Sequence, residues 1–310
     1  MSEFTVSSTV FAEFWTFASA DLYELITEVL FYGILLVLVA FAVTLLSRKR
    51  QAVGGSVLGA ATGVMLIFAT AQLLARFVAT FEAFRVFSLA VQGQRAPESD
   101  IARRAMSKYI DVNFAEDVLL VTNNLFTDSL LIYRCFLIWG RNKYIIIGPG
   151  LLLLLSAALS YVAAVQGDYP TAGGPTVDLR IGFALSVFTN LLLVGLTAGR
   201  IWYTRRRAHG FLEKSVAARY NTAIMMVLES GGILCAWVVA YVVVRSISPP
   251  TVWRVFRGGM AQMLNIAPTL IVVRVGLGHT IQETTGTWTA NGSSVESLTS
   301  KPESLRSTQV

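Results

Sequence analysis

Apolar residues fall in seven long runs separated by short polar stretches: 25–46, 53–75, 117–139, 144–166, 180–203, 220–244 and 256–278. Each is 22–25 residues long, and about 20 mostly apolar residues suffice for a helix to cross the hydrocarbon core of a bilayer. Runs such as Ile145–Ala158 are apolar all round, whereas a soluble helix shows one apolar stripe. The second run is diluted by Gly54, Gly55, Gly59 and Gly63, and its apolar pattern continues past Arg76 to Val91. The pattern predicts an all-α polytopic membrane protein. A seven-transmembrane-helix bundle occupies 25–278, between an N-terminal segment 1–24 and a tail 279–310.

Composition agrees. The chain has 310 residues, 54% of them apolar and 14% charged, against about 25% charged in an average soluble domain. Its mean hydropathy is +0.60. These values exclude a disordered chain, which needs low hydrophobicity and high charge. Two cysteines exclude a disulfide-built scaffold. Cys135 and Cys235 fall at different depths within spans and are expected as free thiols.

Charge sets the expected orientation. The connections 47–52, 140–143 and 204–219 carry ten Lys and Arg residues, and segments 1–24 and 167–179 carry none. By the positive-inside tendency the N-terminus lies outside and the C-terminus in the cytosol. Arg180 and Arg257, at outer helix ends, argue mildly the other way. No basic stretch precedes the first run, so it reads as a span and not as a cleaved signal peptide. The net charge of +6 then reflects this bias and attraction to anionic membrane lipid, with no nucleic-acid binding.

Phe4, Phe11, Phe14, Trp15 and Phe17 make the N-terminal segment aromatic. It reads either as an interfacial segment lying on the headgroups or as a lid over an outward-facing pocket. Segment 76–114 is the largest outer loop. We expect the second helix to project beyond the bilayer, then a turn near Gln92–Pro97. A short helix from Asp100 to Asp111 follows, capped by Ser99. The tail holds 13 Ser or Thr in 32 residues and little apolar content, a composition too polar to fold. Asn291-Gly292-Ser293 is a glycosylation sequon, unused if the tail is cytosolic.

Spans associate in lipid through close backbone contact and interhelical hydrogen bonds. Gly55, Gly59 and Gly63 form small-xxx-small steps on the second span, and Gly195 and Gly199 form another on the fifth. They predict packing within the chain or a homodimer face. Pro149 and Pro268 should kink or break their helices. Ionisable groups inside the membrane are costly and mark function or internal pairing. Span three is richest, with Asp128 at its midplane and Asn123, Asn124, Thr127 and Arg134 nearby. Asn190, Glu229, Asn265, Arg200 and Arg274 lie in other spans. Arg134 and Glu229 differ in depth by about four residues, ~6 Å along a helix, which predicts an ion pair between spans three and six. Asp128 is left to Asn190, Asn265 or Asn124, or to protonation. The group reads as a structural network, a two-state switch, or an ion or proton pathway.

The inventory excludes several classes. Only His209 and His279 exist, both outside the spans, too few for a zinc site in the bundle. The lysines at 49, 108, 143, 214 and 301 also lie outside the spans, so no retinal Schiff base forms. No nucleophile–base pair or phosphate-binding glycine loop is visible. The chain is expected to be non-catalytic and to hold no cofactor or metal.

Three stretches then stand out together: Asp128-Ser-Leu-Leu-Ile-Tyr-Arg-Cys-Phe-Leu-Ile-Trp139, Glu229-Ser-Gly231, and Ile266-Ala-Pro-Thr-Leu-Ile-Val-Val-Arg-Val-Gly-Leu-Gly278. In this order they resemble a large family of uncharacterised seven-span integral membrane proteins of mushroom-forming (basidiomycete) fungi. The resemblance covers about residues 25–278 and implies a seven-helix bundle with the N-terminus outside. Asp128, Arg134, Glu229, Pro268 and Arg274 are the matching positions.

Three functional readings remain. A receptor-like signalling protein of the G-protein-coupled type fits seven spans, the basic connections as a surface for a cytosolic partner, and the Ser/Thr-rich tail. A small-molecule or ion transporter would use Asp128 and Glu229. A non-catalytic scaffold would use the network only for packing. The plasma membrane is the expected location.

Overall fold

The computed structural model describes residues 8–47, 55–91, 100–166, 178–207, 214–249 and 251–274. Among the described residues there are seven helices and no strand. They are α1 (Ser8–Ser47), α2 (Gly55–Val91), α3 (Asp100–Ile138), α4 (Lys143–Gln166), α5 (Leu179–Arg207), α6 (Lys214–Ile247) and α7 (251–274). Each helix overlaps one of the seven apolar runs, in order. Among the described residues four stretches are long and apolar enough to cross a membrane: Phe11–Leu45, Gly59–Val91, Lys143–Gln166 and Arg180–Thr204. Helix α6 carries a shorter apolar stretch, Gly231–Ile247, and α3 and α7 carry charges and amides inside the bundle. The chain is all-α and built for a membrane.

The first three helices are longer than their apolar runs, at 40, 37 and 39 residues. At 1.5 Å per residue each spans about 55–60 Å, roughly twice the hydrocarbon thickness. Residues 8–24, expected as a segment apart, are the first turns of α1. The expected outer loop 76–114 is largely helix: 76–91 completes α2 and 100–114 opens α3. The short helix expected over Asp100–Asp111 is therefore not separate. No Gly or Pro falls between Asp100 and Ile138, so nothing in the backbone stops the helix. The turn near Gln92–Pro97, the tail, and residues 48–52 and 208–213 of the basic connections lie outside the described residues, while 204–207 end α5 and 214–219 open α6.

Neighbouring helices pack in chain order, with α3 also touching α5. Helix α7 runs through the middle. Residues 257–269 are buried without a break, and they meet α1, α2, α3 and α6. Two adjacent glycines make this possible. A Cβ on Gly258 would lie 2.3 Å from the Glu24 carbonyl oxygen of α1, and one on Gly259 would lie 2.4 Å from the Trp237 ring of α6. Leu35, Leu120, Tyr241, Met260 and Leu264 are the bulkiest fully buried side chains of the core around α7.

Of the glycines named from the sequence, Gly63, Gly195 and Gly199 do not make such contacts. Nothing lies within 4 Å of a Cβ built on Gly63, Gly195 or Gly199, and all three are exposed. The side-chain surroundings of Gly55 lie outside the described residues. Close approach occurs instead at Gly182 against Ser160 of α4, at Gly231 against Val194 of α5, and at the α7 pair. Spacing marks small residues but not the direction they face. Helices α4 and α7 run unbroken through Pro149 and Pro268.

The α3–α4 turn has a defined stop. Gly140 and Arg141 take left-handed φ values of 66° and 64°. The Gly140 N–H donates to the Leu137 carbonyl (3.1 Å) and the Arg141 N–H to the Phe136 carbonyl (3.0 Å). This is the Schellman pattern that satisfies the last carbonyls of a helix. Asn142 then caps α4, its Oδ1 accepting from the Tyr144 N–H at 3.1 Å.

Candidate functional site

Three polar assemblies interrupt the apolar bundle. The largest joins α1, α2, α3 and α7. Asp21, Glu24 and Glu28 stand at i, i+3 and i+7 on α1, which places them on one face. All three are buried, with Arg76 of α2 and Glu116 of α3. Arg76, fully buried, lies 2.8 Å from Glu24, 3.4 Å from Asp21 and 3.8 Å from Glu28, and it also pairs with Glu116.

Helix α7 supplies two more guanidinium groups one turn apart. Arg254 meets Asp21 at 2.5 Å. Arg257 reaches Asp117 at 2.6 Å and Glu24 at 3.5 Å. The Tyr109 hydroxyl donates to Asp21 Oδ2 at 3.0 Å and accepts from Arg254 Nη1 at 3.4 Å. Gln262 donates to Glu28 Oε1 (3.2 Å) and to the Ala69 carbonyl of α2 (3.3 Å). The assembly thus holds Asp21, Glu24, Glu28, Glu116 and Asp117 against Arg76, Arg254 and Arg257. Carboxylates outnumber guanidinium groups by two. Each guanidinium bridges several carboxylates, the planar multi-donor role for which Arg is suited.

None of these residues was read from the sequence as part of a polar network; Arg257 entered only as an orientation signal and Arg76 only as a mark along the second apolar run. The available signal was the 3/7 spacing of three acids entering an apolar run, matched by Arg254 and Arg257 at i, i+3. Read by span depth alone, Asp21 and Glu24 fall in the N-terminal segment, Arg76 opens the outer loop and Glu116 lies just before the third span.

The second assembly lies between α3 and α5. The Asp128 carboxyl is fully buried. Its Oδ2 accepts from Ser186 Oγ (2.9 Å) and Asn124 Nδ2 (3.3 Å), and Asn124 also donates to Ser186 Oγ at 3.1 Å. Asn190 turns toward the same carboxyl. The expected partners Asn124 and Asn190 are therefore present, and Ser186 is added. Asn265 is elsewhere: it and Asn123 donate to one carbonyl, that of Ala261, at 3.1 and 3.3 Å.

The third assembly corrects an expected pair. Glu229 of α6 binds Arg274 of α7 through both carboxylate oxygens, Nη2 to Oε1 at 2.9 Å and Nη1 to Oε2. Arg134 makes no ion pair with it, and the buried Arg134 Nη1 has no hydrogen-bond partner. Depth along a helix was compatible with either cation, but Glu229 stands on the face of α6 that meets α7. The Glu229 side chain is 55% exposed, so this pair sits on the rim of the bundle.

Cys135 and Cys235 are free and buried. Among the described residues no group of three or more His, Cys, Asp or Glu collects to hold a metal ion. No family model, curated protein sequence or solved structure matches the chain.

Proposed function

We propose that this chain is a seven-span, non-catalytic, receptor-like protein of the plasma membrane, with the N-terminus outside and the tail in the cytosol. One observation carries the reading: α7 is bonded to its neighbours by charge at both ends. Arg254 and Arg257 join it to α1 and α3, and Arg274 joins it to α6. Arg254 and Arg274 are about 20 residues apart, ~30 Å along a helix, which is the hydrocarbon thickness.

A displacement at one end of a rigid, buried helix is felt at the other, because packed cores shift between discrete arrangements and do not deform smoothly. Pro268 lies between the two ends and removes one backbone donor, which localises bending there. The basic connections 47–52, 140–143 and 204–219 form the surface for a cytosolic signalling partner. Membership of the basidiomycete seven-span family is part of this proposal and rests on the three motifs that include Asp128, Glu229 and Arg274. The exposed Gly195 and Gly199 face is where a homodimer would form.

Transport is the second reading, favoured by the buried Asp128 carboxyl and its neutral partners. One experiment separates them. Purified protein in nanodiscs is tested for nucleotide exchange on heterotrimeric G proteins, and protein in liposomes for flux of ions and small solutes. Exchange that Arg254→Ala abolishes supports signalling through α7. Flux without exchange replaces it with transport, and neither activity leaves a scaffold. A glycan found at Asn291 overturns the orientation.

A further inference from the structure

The ionic assembly carries more carboxyl groups than its guanidinium groups offset. Asp117 keeps 19% of its side chain exposed, so water shares its charge. Asp21, Glu24, Glu28 and Glu116 are all at least nine-tenths buried. They face Arg76, Arg254 and Arg257, four carboxyls against three cations. An ionised carboxylate buried without a cation is costly, and one proton restores the balance.

The distances single out the carboxyl that holds it. Asp21 meets Arg254 at 2.5 Å and accepts from the Tyr109 hydroxyl. Glu24 lies 2.8 Å from Arg76 and 3.5 Å from Arg257. Glu116 pairs with Arg76 and stands 3.9 Å from Arg257. Glu28 has, among the described residues, Arg76 alone within 4 Å, its Oε2 standing 3.8 Å from Nε. That is beyond hydrogen-bond reach, and the buried Arg76 Nε has no hydrogen-bond partner. The other charged groups facing Glu28 are Glu24 on its own helix and Glu116 of α3. Both carry the sign that disfavours a further carboxylate.

Helix α7 presents a neutral group to Glu28. Gln262, with no exposed surface, donates through Nε2 to Glu28 Oε1 at 3.2 Å and to the Ala69 carbonyl at 3.3 Å. These two bonds fix how the amide is turned. Its Oε1 is buried and has no hydrogen-bond partner. A carboxylate offers that oxygen nothing, whereas a carboxylic acid carries one O–H donor. We propose that Glu28 is a proton-binding site, holding its carboxyl as the neutral acid at neutral pH and pairing reciprocally with Gln262. The amide N–H donates to Glu28 Oε1, and the acid O–H on Oε2 donates to Gln262 Oε1. The proton ties α7 to α1 and, through the Ala69 carbonyl, to α2. Its loss sets a third carboxylate beside Glu24 and Glu116 and weakens the contact of α1 with α7. The site does not depend on the signalling reading.

The test is infrared difference spectroscopy on the full chain in nanodiscs of zwitterionic lipid at neutral pH. Glu28→Gln keeps the shape of the acid and has no acidic proton. The spectrum of the unaltered protein minus that of Glu28→Gln is expected to hold the C=O stretch of a carboxylic acid, shifted in heavy water as the O–H exchanges. Carboxylate bands in its place overturn the proposal. Melting midpoints followed upward in pH give an independent reading. The unaltered protein is expected to lose stability where the proton leaves, and Glu28→Gln to lack that loss. Equal pH dependence in the two proteins overturns the site.

If Glu28→Gln does not fold, Gln262→Leu decides. Loss of the amide N–H on the acid carbonyl is expected to move one acid C=O stretch to higher frequency. A difference spectrum without that shift overturns the pairing and the proton with it.

Discussion

Arg76 of α2 and Glu24 of α1 lie 2.8 Å apart with neither side chain exposed. Among the described residues Arg76 is also the one cation within 4 Å of Glu28, and it shares Glu116 with Arg257. Removing it leaves buried carboxylates without their main counter-charge. Arg76→Met is therefore expected to destabilise the bundle by about 3–5 kcal/mol, the cost of breaking a buried pair from one side. Thermal unfolding in detergent or nanodiscs measures it. A loss below ~1 kcal/mol would mean that the cluster is not closed around Arg76. Arg76→Lys should recover only part of the loss, since one ammonium cannot bridge several carboxylates.

The same cluster depends on the approach of α7. Gly258→Ala places a methyl group 2.3 Å from the Glu24 carbonyl oxygen, and backbone on both sides must shift. Overpacking of this kind costs typically about 1–3 kcal/mol. Gly195→Ala and Gly199→Ala meet open space and should stay within about ±0.5 kcal/mol in the monomer. Melting curves of the three variants side by side check this ordering. If dimers form through the Gly195 face, the two control variants alter the mass measured by light scattering and leave the unfolding of the monomer alone.

Glu229 binds Arg274 and not Arg134. A double-mutant cycle on Glu229→Gln and Arg274→Gln should give a measurable coupling, and the cycle with Arg134→Gln should give none. Coupling between Glu229 and Arg134 would contradict the face on which Glu229 stands.

Arg141 is held at φ 64° at the end of α3. A side chain in the left-handed region costs about 1–2 kcal/mol that glycine avoids. Arg141→Gly should therefore stabilise the α3–α4 turn by up to about that amount, less the gain in unfolded-chain freedom. A lower melting temperature would show that the Arg141 side chain has a role beyond the turn.

Asp178 caps α5 by accepting from the Arg180 N–H at 2.8 Å, and it pairs with the Arg180 side chain at 2.6 Å. Partial burial opposes its charge, but the Arg180 hydrogen bonds outweigh this and hold the carboxyl below its ordinary value. The cap therefore contributes fully above the unfolded-state value, about 3.9. Its contribution fades as pH falls through the lowered folded value. Asp178→Asn should flatten the acid limb of a stability-against-pH curve. An unchanged acid limb would place the sensitivity elsewhere.

The number and order of the helices were legible in the chain, because each needs only a local run of apolar residues. The Asp128–Asn124 contact was legible too, being one turn apart on one helix. So were the free thiols, since two cysteines at different depths cannot meet. The ionic cluster was not. Glu28 and Gln262 are 234 positions apart, and which faces meet depends on how seven cylinders rotate against each other. That rotation is decided by where helices can approach closely, Gly258 against the Glu24 backbone and Gly259 against the Trp237 ring. The reach of α2 to Val91 was legible in its continuing apolar pattern; the lengths of α1 and α3 were not, because Glu24 and Glu116 break the apolar pattern and only their pairing with Arg76 across the bundle offsets that. Helix propensity and hydrophobic length are one-dimensional properties that a sequence carries by itself. The pairing of Glu229 with Arg274 and the gathering of eight charged residues around α7 are properties of contact between elements, and only the tertiary structure decides them.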